Sequence, residues 1–251
     1  MRGITYGNDT FVMVGGGGGI LTSSDGVTWT NQSSGTGNWL EGIIYSNGQF
    51  IAVGENGTIV TSSDGITWTS QTSGTTSLLL GIAYGNGQFI AVGGCGTILT
   101  SPNGVSWTVR NSSNAYDLIA VTYGNGKFVA VGGWGGTILT SPDGITWNSQ
   151  SSGTTAYLGS ITYANGIYVT VGADGTILTS PDGANWNSRN SGTTAIFHGV
   201  TYSDGLFVAV GGYNGEIVTS SDGVTWVEQN SGASTTLYGI AHGNGMFIVT
   251  Q

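Results

Sequence analysis

Positive charge is nearly missing from this sequence. Four basic side chains, Arg2, Arg110, Lys127 and Arg189, stand among 251 residues against thirteen acids, for a net charge of -9. Nucleic-acid binding requires several Lys or Arg clustered on one surface to release counterions, so no nucleic-acid partner is expected. An anionic membrane surface would repel the chain for the same reason. Charge of either sign is scarce, at 7% of residues. Cysteine is reduced to Cys95, which excludes an intramolecular disulfide framework. No apolar run reaches the ~18 residues of a transmembrane helix, and Met1-Arg2-Gly3 leads straight into patterned sequence without a signal-peptide core. Membrane insertion is therefore not expected, and an exported form would carry its signal elsewhere.

Glycine, by contrast, is abundant. The 47 glycines, with many Ser, Thr and Asn, imply tight turns and little helix. Hydrophobic residues at 38% suffice for a core, and the glycines recur at fixed positions between alternating apolar residues, which argues against disorder. The expectation is one all-β domain over residues 1–251, because no charged linker or proline-rich break divides the chain.

The organisation is repetitive. SSDGVTW (Ser23 to Trp29) recurs as SSDGITW, SPNGVSW, SPDGITW, SPDGANW and SSDGVTW, ending at Trp68, Trp107, Trp147, Trp186 and Trp226. The acids or their substitute, Asp25, Asp64, Asn103, Asp143, Asp182 and Asp222, are 39 or 40 residues apart, a period in the range of propeller blades. One unit holds four short runs, Gly42 to Tyr45, Phe50 to Val53, Thr58 to Thr61 and Thr67 to Gln71, with an Asn47-Gly48 hairpin signal between the first two. Four-stranded sheets this small must stack to bury both faces, and a ring of them is a β-propeller. The first half of the unit occurs seven times and the second half six times. Seven blades of four antiparallel strands, the last incomplete, are therefore expected, with six blades plus a spare hairpin as the alternative.

These boxes resemble the Asp-box, or BNR, repeat of sialidases, photosystem assembly propellers and sortilin-like receptors, which runs S-x-D-x-G-x-T-W. Here the residue between Asp and Gly is missing, so the turn should be one residue tighter. The box chemistry is that of a turn: Asp accepts backbone N–H bonds, Gly26 takes positive φ, and Trp29 fills the wedge between blades. Calcium would need several converging oxygens, whereas each box offers one carboxylate, so no metal or cofactor is expected. The sialidase resemblance would imply an arginine triad. Arg110 and Arg189, however, follow Trp107 and Trp186 by three residues, where other units carry Gln32, Gln71, Gln150 and Gln229, so both read as drifted outer-strand glutamines.

The copies disagree in two places, the loop between the second and third strands and the crossing from one blade to the next. In an up-and-down blade both emerge at one end of the ring, opposite the boxes. Function concentrates on loops held by a rigid scaffold, so this varied face is the expected binding surface. Its candidates are Trp39, Glu41, Glu55, Asn56, Tyr116, Asp117, Trp134, Tyr157, Asp174, His198, Tyr213, Asn214 and Tyr238. Exposed aromatics beside carboxylates and amides suit glycan stacking or a protein surface. Leu40, Leu79, Leu118, Leu158, Phe197 and Leu237, one per unit, are assigned to the core. The expected function is a non-enzymatic module recognising a glycan or glycoprotein. The alternatives are a structural element of a surface or virion assembly (phage tail or capsid), joined through the incomplete terminal unit, and a glycoside hydrolase. A surface poor in lysine suits an extracellular or virion location.

Overall fold

The computed structural model describes residues 1–251. The first blade consists of Gly3–Gly7, Thr10–Val14, Gly19–Ser23 and Thr30–Ser33, and the second of Leu40–Ser46, Gln49–Gly54, Ile59–Ser62 and Thr69–Gln71. Four more sheets repeat this pattern, opening at Leu79, Ala120, Leu158 and Phe197 and ending at Arg110, Gln150, Arg189 and Gln229. Each is antiparallel, with its strands in sequence order from the axis outward. Helix is confined to single 3-10 turns in the loops between second and third strands, such as Glu55–Gly57.

The expected count of seven blades is corrected by the sheets themselves. Six sheets contain four strands, and the seventh contains only Ile240–Gly243 and Met246–Val249. The molecule is a six-bladed propeller with an extra two-stranded hairpin. The hairpin stands between the sixth and first blades, its first strand packed against the innermost strands of both. Two copies of the same repeat half are duplicates and cannot pair into a complete sheet, so the hairpin lacks the outer strands that a blade requires. Ring closure is made instead by packing, with the Met1 amino group donating to the Gln251 carbonyl at 2.6 Å and the Thr250 hydroxyl near the Arg2 carbonyl at 3.4 Å.

The core lies between blades. Second strands are buried on both faces: Phe50, Ile51, Ala52 and Val53 are fully enclosed, with Phe50 and Ala52 turned to the first blade and Ile51 and Val53 to the third. The six leucine and phenylalanine positions assigned to the core are all fully buried. Five box tryptophans face the preceding blade, as Trp147 does against Ile90 and Val92, and Trp29 faces the hairpin; each indole N–H donates to a carbonyl of its own box, Trp147 to Gly144 at 3.1 Å. A Cβ on Gly144, which sits at φ +72°, would fall 2.6 Å from Ile90 Cδ1, so glycine also permits the close approach of adjacent blades.

The box acts as a turn, and its serine contributes as much as its acid. Asp64 Oδ1 accepts from the N–H groups of Ile66 and Thr67, both at 2.8 Å, and from the Ser62 hydroxyl at 2.9 Å. Ser62 Oγ in turn accepts the Gly65 N–H at 2.8 Å. These bonds hold the Asp64 carboxyl down at about 2, with the backbone donors as the largest cause. Neighbouring boxes are latched by the preceding blade, where Gln49, Gln88 and Lys127 donate to the carbonyls of Asn103, Asp143 and Asp182.

Candidate functional site

The two varied loops do emerge together, and they interlock. The Glu55 carboxylate accepts the Trp39 N–H at 3.0 Å, Asp117 accepts the Cys95 N–H at 2.8 Å, and the Gly57 N–H donates to Ser77 at 2.9 Å. Between them the chain enters each innermost strand through a β-bulge. In the second blade Leu40 faces Gly54 and Gly42 faces Val53, which leaves Glu41 as the extra residue. The same register shift isolates Leu80, Gly159 and His198. The backbone bonds Arg2 N–H to Val14, Ile119 N–H to Val131 and Tyr238 N–H to Thr250 put those residues at the equivalent point of the remaining units.

A bulge re-aims the side chain of its extra residue. Here all seven positions, Arg2, Glu41, Leu80, Ile119, Gly159, His198 and Tyr238, line one cavity of about 420 Å³ on the axis. Beneath them Ile4, Ile43, Ile82, Val121, Ile161, Val200 and Ile240, one per unit, form an aliphatic floor. The inner strands come this close because small residues open them: a Cβ on Gly42 would lie 2.7 Å from the Leu80 carbonyl oxygen. Gly159 brings no side chain to the ring, and Tyr157 fills its place among the lining residues.

The resulting ring is two-sided. Leu80, Ile119 and Tyr157 make an apolar arc, and His198, Tyr238, Arg2 and Glu41 a polar one. The Arg2 guanidinium lies 4.6 Å from the Tyr238 ring centroid and 5.5 Å from that of Trp39, with the Glu41 carboxylate 3.8 Å away. Stacking between two aromatic faces orders the cation while leaving N–H donors for a ligand. Burial raises the Glu41 carboxyl, an effect opposed by Arg2 and reinforced by Glu55. Burial, and then Arg2, lowers the His198 imidazole, which favours its neutral form. Burial and the Asp117 charge raise the Tyr157 phenol, so it stays protonated and able to donate.

The structure sorts the remaining candidates. Glu41, Tyr157, His198 and Tyr238 line the axial cavity, and Trp39 stacks on Arg2 beside it. Glu55 and Asp117 are engaged in capping loop N–H groups. Asn56 and Asp174 occupy the left-handed position of their 3-10 turns, at φ 54° and 55°, which accounts for an amide and an acid there. Trp134 is 73% exposed on the rim, its ring 6.2 Å from that of Tyr157. Tyr116 and Tyr213 are also exposed, and Asn214 donates its N–H to Glu216. Sequence reading missed Arg2, Leu80 and Ile119. Their signal is positional: the residue before each strand-opening Gly3, Gly42, Gly81, Ala120, Ser160, Gly199 or Gly239 is different in every unit.

Two other constellations have structural explanations. Arg110 Nε and Arg189 Nε donate to the Thr100 and Thr179 hydroxyls at 2.9 Å, as Gln71 does to Thr61, so both are drifted outer-strand glutamines far from Arg2. Ser203, His242 and Asp204 lie in a string, with the Ser203 hydroxyl hydrogen-bonded to His242 Nδ1 at 2.8 Å and Asp204 Oδ2 2.9 Å from Nε2, a close contact without hydrogen-bond geometry. His242 stands where other units carry tyrosine, and Tyr6 makes the matching contact by donating to Asn244 in the turn of the hairpin at 2.6 Å. The string links the hairpin to the sixth blade much as Tyr6 links the first blade to the hairpin, at the end of the ring opposite the loops.

These features define a β-propeller domain with a side-chain-lined axial mouth. A family model described as the DUF6242 beta propeller domain matches residues 1–118. No curated protein sequence matches the chain significantly. Among solved structures, YCF48 from Cyanidioschyzon merolae is similar, with a TM-score of 0.75 and 17% identity over 99% of this chain and 91% of that one. YCF48 bound to D1 peptide gives the same TM-score and identity over 95% and 84%. The WD40 beta propeller domain of Doa1 follows at 0.68 and 14%, over 84% and 75%. At these identities the likeness concerns the fold.

Proposed function

We propose that this domain is a non-enzymatic binding module whose loop face receives a segment of a protein partner at the axial mouth. The observation that carries this reading is the ring of seven re-aimed side chains over a cavity of about 420 Å³. That volume lies in the range of ligand pockets, and the lining combines apolar walls with a few convergent polar groups. An apolar side chain would rest against Leu80, Ile119 and Tyr157, while backbone carbonyls or a carboxylate face Arg2, Tyr238 and His198. The solved complex of YCF48 with a D1 peptide, a protein of similar fold, supports a peptide ligand. Panning a displayed peptide library on the domain tests the reading. Selected peptides should lose at least tenfold in affinity for Arg2→Ala and Leu80→Arg variants, and peptides indifferent to both would refute it.

A glycan is the second reading, favoured by Trp134, which is 73% exposed beside Tyr157 and offers a flat stacking face on the rim. A glycan array separates the two, because Trp134→Ala would abolish sugar binding and leave an axial peptide in place.

A further inference from the structure

We propose that the groove beside Tyr116, on the outer side of the fourth blade, binds a neutral saccharide. The inference rests on the glycan reading above and gives it a different site. The groove measures about 700 Å³. It is bounded by Tyr116 from the crossing loop before the blade, Thr137 at the start of the third strand, Ser149 and Gln150 in the outermost strand, and Ser151 and Thr155 beyond it. Among its twelve lining residues none is charged and only Tyr116 brings an apolar surface; the others are glycines, hydroxyls and amides. Such a lining offers no counter-charge to a phosphate or a carboxylate, and no aliphatic pocket for the side chains of a peptide. Hydroxyl and amide groups that donate and accept, beside one aromatic face, match a sugar ring, whose hydroxyls need such partners and whose C–H face packs on an aromatic.

The repeat supplies controls for this groove. The first, second and sixth blades have one at the same place, of about 380, 680 and 500 Å³, none with an aromatic wall, and that of the sixth carries Glu216 and Glu228. The hollow is therefore a property of the repeat, and the ring is particular to the fourth blade. Two residues before the buried Leu40, Leu79, Leu158, Phe197 and Leu237 stand Asn38, Ser77, Ala156, Ala195 and Thr235, and before Leu118 stands Tyr116. In the second blade Asn38 spans the gap and donates to the Thr58 hydroxyl at 2.8 Å. Thr137 is the copy of Thr58, and the ring that replaces the amide is 58% exposed. Three neighbours hold that ring in place. Gly133 makes room for it, since a Cβ there would fall 2.9 Å from Tyr116 Cβ. Asn114 Oδ1 accepts the Tyr116 N–H at 2.8 Å. Ser113 takes a left-handed φ of 55° where the five copies have Gly35, Gly74, Gly153, Gly192 and Gly232, backbone strain of the kind that gathers at ligand sites. Across the groove, Gln150 Nε2 donates to the Thr140 hydroxyl at 2.9 Å, which leaves the side-chain carbonyl to accept from a ligand.

The test probes an array of neutral and acidic oligosaccharides with the whole chain and then titrates the best-bound sugar by calorimetry. The expected result is binding of neutral sugars, one per molecule. Tyr116→Ala should weaken that binding at least tenfold, with unchanged circular dichroism showing that the fold is kept. Tyr116→Trp, which keeps an aromatic face, should hold affinity within about threefold of the natural protein. Asn38→Ala, at the same point of the second blade, and Trp134→Ala on the rim should each change it less than twofold. No neutral sugar bound, or binding indifferent to Tyr116→Ala, would overturn the inference. Loss in Trp134→Ala alone would overturn it while keeping the glycan reading at the rim. A selected peptide that needs Tyr116, with no sugar bound, would also overturn it and make the groove a protein contact. Peptides held at the axial mouth should be indifferent to Tyr116→Ala, so a failure here is distinct from a failure of that site.

Discussion

The Tyr157 ring occupies the gap that Gly159 leaves in the axial ring: a Cβ at position 159 would lie 3.2 Å from Tyr157 Cε1. One residue of a crossing loop thus stands in for a bulge residue two positions later. Tyr157→Ala should empty part of the apolar arc and weaken an axial ligand at least tenfold, whereas Tyr157→Phe should keep the packing and change affinity less. Isothermal titration with a selected peptide checks both.

The boxes predict acid sensitivity. Asp25, Asp64, Asp143, Asp182 and Asp222 all have carboxyls held below the ordinary 3.8 by backbone N–H bonds. Their unfolded forms bind protons first as pH falls, so the stability they contribute is present above about pH 4 and is lost as pH drops toward 2. Thermal midpoints should therefore decline over that window. Asn103 makes the same two backbone bonds at 3.0 Å without titrating, so Asp64→Asn should fold and reduce the slope of the decline.

The wedge tryptophans predict a stability cost. Trp147 is 8% exposed and belongs to the cluster that joins the third and fourth blades. Trp147→Ala should destabilise by about 3–5 kcal/mol, through lost transfer energy and a residual cavity. A urea denaturation series measures it, with surface Val27→Ala, at a residue 80% exposed, as the near-neutral control.

The Ser203–His242–Asp204 string predicts tolerance. If it is a latch that replaces the repeat's tyrosine, His242→Tyr should restore the contact made elsewhere by Tyr6 and shift stability by no more than about 1 kcal/mol. Ser203→Ala should leave ligand binding at the mouth unchanged. Hydrolysis of an ester substrate that disappears in both variants would reassign the string as catalytic.

Much of this was legible in the sequence, because a repeat of 39 or 40 residues supplies its own controls. Aligned copies exposed Arg110 and Arg189 as glutamine replacements and placed Leu40 and Phe197 in the core. The number of blades was misjudged, since counting first halves cannot tell a two-stranded hairpin from a blade. The binding ring was only partly visible. Glu41, His198 and Tyr238 stand out as loop residues, but a bulge is a register event that no single position announces, so Arg2, Leu80 and Ile119 are not among the candidates the sequence offers. The sequence offers Glu55 and Asp117 as ligand groups because a capping carboxylate and a binding one share the same side chain.

The most direct test of the axial mouth is a competition map on peptides selected against the wild-type domain. Affinity is measured for Arg2→Ala, Leu80→Arg, Tyr157→Ala and Tyr238→Ala at the mouth, and for Ile66→Arg on the box face. The expected result is a loss of at least tenfold for each mouth variant and less than twofold for Ile66→Arg. Unchanged binding in all four mouth variants, with loss in Ile66→Arg, would contradict the account.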